Sequence, residues 1–282
     1  MVLMASSSKL FLVLNRPLYI GLVLIYIFSS IAACNSPAKK LQISRQSSLS
    51  GSAFYKQAAA MSWKERDSFA LVQFKDGNVP AFWLVLQPVH TSYKDTTTGI
   101  IHNAIYYVTP DYFSIGTNDD WARVPLTPMA AQIIADSLKC FLPSRKMVDD
   151  IYRAAVIKLE PVPMYAFRDS TPTMWHHHLI IEGQRKGRNG LIAGIKKDVV
   201  NTSKLNESST RDRVAIYGWH KPDGKPIQHL YTGHVNWYVD YSHGIRLVSR
   251  QILVDGKWMD YTSVLQDDTL RHLLCDEQNC NW

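Results

Sequence analysis

Residues 127–159 read TPMAAQIIADSLKCFLPSRKMVDDIYRAAVIKL, and this stretch decides the fold class. Thr127 offers a side-chain acceptor for a helix start, and Pro128 takes the first helical position, where its missing N–H costs nothing. Ala131, Ile134, Ala135 and Leu138 then recur at helical spacing and make one apolar stripe. Pro143-Ser144 opens a second helix, with Met147, Val148, Ile151, Ala154 and Ala155 facing inward. Cys140 falls in the short link, so the two read as a helical hairpin.

Toward the carboxyl end the pattern changes to β. Strands are expected at 213–219, 227–231, 237–241, 245–254 and 258–264, rich in aromatic and β-branched residues. Asp223-Gly224 marks a turn, and Asp255-Gly256 is a two-residue hairpin signal. Upstream, a helix is expected over 53–69, and a strand over 81–89 follows the Asp76-Gly77-Asn78 turn. Its partner strand is expected at 103–109. Pro161, Pro163 and Pro172 break the stretch after the helices, and 183–194 and 201–212 read as surface loops. The sum is α+β, a central helical hairpin with a C-terminal, mainly antiparallel sheet.

At the amino end, Lys9 and Arg16 precede an apolar run from Leu18 to Phe28, and Ile31-Ala32-Ala33-Cys34 follows. Charged start, apolar middle and small residues before the cut is the layout of a secretory signal. The cysteine directly after the small residues resembles the lipobox of bacterial lipoproteins. That resemblance implies a signal over 1–33, a diacylglycerol on Cys34 and a place on the cell envelope, facing the periplasm or the exterior. Residues 34–52 (CNSPAKKLQISRQSSLSGS), rich in Ser, Lys and Gln, then read as a flexible tether, and 53–282 as a single globular domain.

The 282-residue chain is 46% hydrophobic and 20% charged, which excludes wholesale disorder. Its formal charge of +7 is spread along the chain without a basic stripe, so no nucleic-acid partner is expected. Membrane attachment through the lipid, and a cell-wall or glycan ligand, are the expected partners. Of four cysteines, Cys275 and Cys280 are close enough in sequence to close a small loop in an oxidising compartment. Cys140 is then the odd thiol: buried, exchanging into that bridge, or a nucleophile.

The block GWHKPDGKPIQHLYTGHVNWYVDYSHGIR, from Gly218 to Arg246, concentrates the chemistry. It holds four of the ten histidines, His220, His229, His234 and His243, with Asp240, Ser242 and Arg246. Imidazoles beside a carboxylate suit acid–base work or metal ligation. For hydrolysis, His220 or His234 would be the general base, oriented by Asp240, with Ser242 or Cys140 as nucleophile. Ser242 and His243 alternate faces on a strand and cannot pair with each other directly. Lys197, in Lys196-Lys197-Asp198, and Arg246 are candidate anion holders, although the lysine pair also reads as a charged turn.

No cofactor is required, but zinc has a candidate set. His234, Asp240 and His243 would leave the fourth position to water. His176 and His178 would make an H-x-H pair on one face of a strand. Secreted wall-cutting zinc peptidases use the same residue types in a different order, and no HExxH is present.

Several segments, among them VAIYGWHKPDGKPIQ, YYVTPDYFSIGTNDDW and VDYSHGIRLV, resemble an uncharacterised family of exported bacterial proteins. The resemblance spans residues 77–255 and implies export and one domain, but no reaction. The leading expectation is an envelope-anchored hydrolase of a wall or extracellular polymer. The alternative is a non-catalytic lipoprotein that binds glycan or protein through Trp219, Trp237 and Tyr241.

Overall fold

The computed structural model describes residues 40–46 and 48–282. The signal segment and Cys34 lie outside the described residues. The described residues form an α+β fold with two main sheets, of six and four strands, and two small two-stranded ones, Ser114–Gly116 with Trp121–Arg123 and Ile157–Lys158 with Ile192–Ala193.

The larger sheet has six strands. Lys257–Asp260, Gln251–Val254, Ile101–Val108, Val248–Ser249 and Cys140–Phe141 follow one another across it, and Gln87–Lys94 also pairs with Ile101–Val108. Every pairing in it is antiparallel. The second sheet runs Pro226–Val235, Arg213–His220, Lys197–Val199, His243–Gly244, and its last pair is parallel. Arg213–His220 is buried along nearly its whole length as a central strand, while Pro226–Val235 alternates half-buried and exposed as an edge strand should.

Local chemistry explains the elements that came as expected. Thr127 accepts from Ala130 N and starts the Pro128–Ser137 helix, and Ser144 accepts from Met147 N at the start of Arg145–Ala154. Asp255 and Gly256 have φ of 47° and 82°, the left-handed pair that a two-residue hairpin requires. Cys140 and Phe141, read as a plain link, pair with Ser249 and Val248. The two helices therefore line different parts of the core. Ile134 and Ala135 pack with Trp83 and Phe113, whereas Met147 and Ile151 pack with Tyr106 and Ile252.

Other expectations are corrected. The tether does not reach residue 52: Leu41 N donates to Leu84 O, Gln46 N to Asp76 O, and the Arg45 guanidinium reaches Asn78 Oδ1 and Gly116 O. Buried Leu41 and these hydrogen bonds make 40–46 part of the folded unit. The helix over 53–69 is two helices, Gly51–Ala58 and Trp63–Lys75, because Ser62 and Glu65 form a capping box that restarts it. Residues 237–241 are turn and irregular backbone rather than a strand, and Tyr261–Gln266 is a short helix. Cys275 and Cys280 form a disulfide.

The largest correction is Thr171–Arg185. This is a 15-residue helix with Ser170 as its cap, so His176-His177-His178 lie on a helix and the strand-type H-x-H pair does not exist. Pro172 stands in the first turn, where a missing N–H breaks nothing.

Candidate functional site

The site forms where the short parallel ladder sets His243 beside Lys197. Such close pairing depends on Gly244, since a Cβ there would lie 2.4 Å from the Tyr112 ring and 2.8 Å from Lys196 Cβ. The turn before it carries Asp240, and Asp240 is the hub. Its Oδ1 accepts from Ser242 N at 2.8 Å and Ser242 Oγ at 2.5 Å, and its Oδ2 accepts from Arg168 Nη2 at 2.9 Å. His243 Nε2 lies 3.9 Å from Asp240 Oδ1, beyond hydrogen-bond reach, and neither nitrogen of this buried ring has a partner.

Two irregularities in Pro226–Val235, between Gln228 and Tyr231 and between Tyr231 and His234, re-aim the end of that strand. They leave His234 half-exposed, its ring 4.6 Å from Tyr238 and 6.2 Å from His243. His234, Asp240, Ser242, His243 and Lys197 are thus one neighbourhood.

Its electrostatics are strongly perturbed. Burial is the main cause that pushes His243 down to about 4; the Asp240 carboxylate opposes this, while Lys197 and His234 add to it. Burial by itself would raise Asp240, but His243, the Ser242 hydroxyl and Lys197 outweigh it and hold the carboxyl below its usual range. At pH 7 the pair is a neutral imidazole beside an ionised carboxylate. Burial also lowers His234 and Lys197. Clusters of shifted groups of this kind concentrate at functional sites.

Behind this neighbourhood lies a layer that the sequence did not announce. Lys196 is fully buried; its ammonium donates to Tyr241 O and lies 3.3 Å from His177 Nδ1. Burial first, then Arg123, brings Lys196 down to about 7. Arg123 makes a bidentate pair with Asp111 at 2.8 and 2.7 Å, and Nη2 also reaches Glu182 at 2.8 Å. The charged turn expected at Lys196-Lys197-Asp198 is therefore a buried segment, with Lys196 in a bend and Lys197 and Asp198 in the strand Lys197–Val199.

Several candidate residues fall elsewhere. His220 is remote in function from Asp240: its Nε2 lies 2.8 Å from Asp149 Oδ1, and its ring stacks on Tyr152 at 4.5 Å. Arg246 is no substrate holder. It is wholly buried, donates to Thr109 O and Ile192 O at 2.7 Å each, and sits over the Tyr112 ring. Ser242 is buried with its hydroxyl given to Asp240, which does not fit a nucleophile activated by imidazole. Cys140 is buried in apolar core.

The aromatic surface also breaks up. Trp219 and Tyr241 are core residues, and of the three only Trp237 is exposed, at 49%. No known family model, curated protein or solved structure matches the chain. The site must be read from its own geometry. Among the described residues, no three His, Cys, Asp or Glu side chains are arranged to hold a metal, and both oxygens of Asp240 are already engaged. Nor is any helix among them long and apolar enough to cross a membrane.

Proposed function

We propose that this chain is an envelope-anchored hydrolase acting on a wall or extracellular polymer. The observation that supports it is the convergence of His234, His243, Lys197 and an ionised Asp240, with both His243 nitrogens unsatisfied. In this reading water is the nucleophile. Half-exposed His234, neutral at pH 7, takes the proton from water as the new bond forms and returns it to the leaving group as the old bond breaks. Lys197 offsets the charge that develops on the attacked centre. Asp240, held by Ser242 and Arg168, places a negative charge beside the imidazoles that favours the protonated form of the base; Ser242 holds Asp240 rather than acting as a nucleophile.

The test is incubation of the purified chain with cell-wall sacculi and with extracellular polysaccharide, measuring soluble reducing ends and free amines. Release is expected from one of the two; none from either contradicts the reading. The anchor is tested separately. Labelled palmitate should enter the full chain in a bacterial host and be absent from Cys34→Ser, and equal labelling of the variant would remove the lipid.

A further inference from the structure

A pocket of about 340 Å³ lies beside this cluster, and its wall of Tyr238 and Val239 runs directly into Asp240. Arg66 lines it. That guanidinium is 1% exposed, and its Nε and Nη2 have no hydrogen-bond partner. Its nearest carboxylate oxygen, Asp67 Oδ1, stands 3.9 Å away, and the other oxygen of Asp67 is taken by Thr127. An arginine buried this way carries a charge that a ligand can satisfy. Ser62 and Ser170, the caps of the Trp63–Lys75 and Thr171–Arg185 helices, also line the pocket, so two positive helix ends face it. Trp63 and Trp237, which also line the pocket, stack with centroids 6.4 Å apart and make an aromatic wall. Asp169 on the rim disfavours a doubly charged anion and can accept hydroxyl groups.

We propose that this pocket binds a carboxylate-bearing sugar, with the carboxylate on Arg66 and the ring against the Trp63–Trp237 wall. The volume is at the small end for a ligand site and suits a single substituted ring. In the hydrolytic reading it is a subsite of the polymer, but binding itself does not depend on that reading.

The experiment is calorimetric titration of the purified chain with glucuronate, N-acetylmuramate and, as the uncharged control, glucose. At least one acid should bind about tenfold or more tighter than glucose. Glucuronate alone points to an extracellular polysaccharide, and N-acetylmuramate alone to wall. Trp237→Ala, a change at an exposed side chain, should weaken the acid about tenfold and leave the melting temperature unaltered. Arg66→Gln should abolish the preference over glucose; if it does not fold, Trp237→Ala decides. Glucose binding as tightly as both acids, no binding of either acid at about 10 mM, or unchanged binding by Trp237→Ala overturns the proposal. Acid binding without polymer cleavage would leave the pocket standing and remove the hydrolase; cleavage without acid binding would do the reverse.

Discussion

His220 and His243 come from one block of sequence and have opposite surroundings. Asp149 faces His220 at 2.8 Å and also accepts from Tyr217 OH at 3.0 and 3.1 Å; Tyr152 covers the ring. Asp240 has given its oxygens to Ser242 and Arg168, and His243 beside it has no partner for either nitrogen. A histidine next to a carboxylate is therefore not one kind of site. What separates a clamp from a reactive group is where the carboxylate has spent its lone pairs.

The two carboxylates give the largest contrast. Asp240→Asn removes a buried charge that compensates Lys197 and Arg168, and should cost about 3–5 kcal/mol. Asp149→Asn, at a side chain 29% exposed, should cost about 1–2 kcal/mol. Urea denaturation of the two variants reads the difference, and equal losses would erase the distinction.

Acid should act next, through His243. His243 titrates near 4 in the fold against about 6.5 unfolded, so between those values the unfolded chain binds more protons. Stability then falls as pH drops from 6.5 to 4, at up to about 1.4 kcal/mol per pH unit for one such group. Buried His177 and His178, also pushed down mainly by burial, act in the same direction. Asp198 opposes them. Burial raises it to about 6, so its neutral form is favoured and it adds stability as pH falls through 6. His234, lowered by burial, acts with the three imidazoles, and Asp67, raised by burial, acts with Asp198; four imidazoles against two carboxyls give a net loss. His243→Asn should make the urea midpoint less dependent on pH between 7 and 4.5, while the contribution of His177 and His178 remains; a dependence equal to wild type would contradict the role given to His243. The smallest effect expected is Tyr217→Phe, which removes one donor from Asp149 and should cost about 1 kcal/mol in the same assay.

Local signals carried the parts of the fold that were legible. Thr127-Pro128, Pro143-Ser144 and Asp255-Gly256 each act within a few residues, and each formed the expected element. The α+β class followed from them. Pro172 misled because a proline reads as a breaker unless the cap before it is recognised, and Ser170 is that cap. In the site, Asp240, Ser242 and His243 were legible because one tight turn brings them together. Arg66, Lys196 and the Arg123–Asp111 pair were not, since burial and distant neighbours give them their character. Arg246 looked like a surface cation for the same reason: nothing local tells that Thr109 and Ile192 will accept from it.

The most direct test of the central claim compares polymer hydrolysis by wild type, His234→Ala and His220→Ala, measured as initial rates of reducing-end or amine release. The account predicts a loss of about 100-fold or more for His234→Ala, as for removal of a general base, and less than about threefold for His220→Ala, whose imidazole is already committed to Asp149. Equal losses in the two variants, or full activity in His234→Ala, would contradict it.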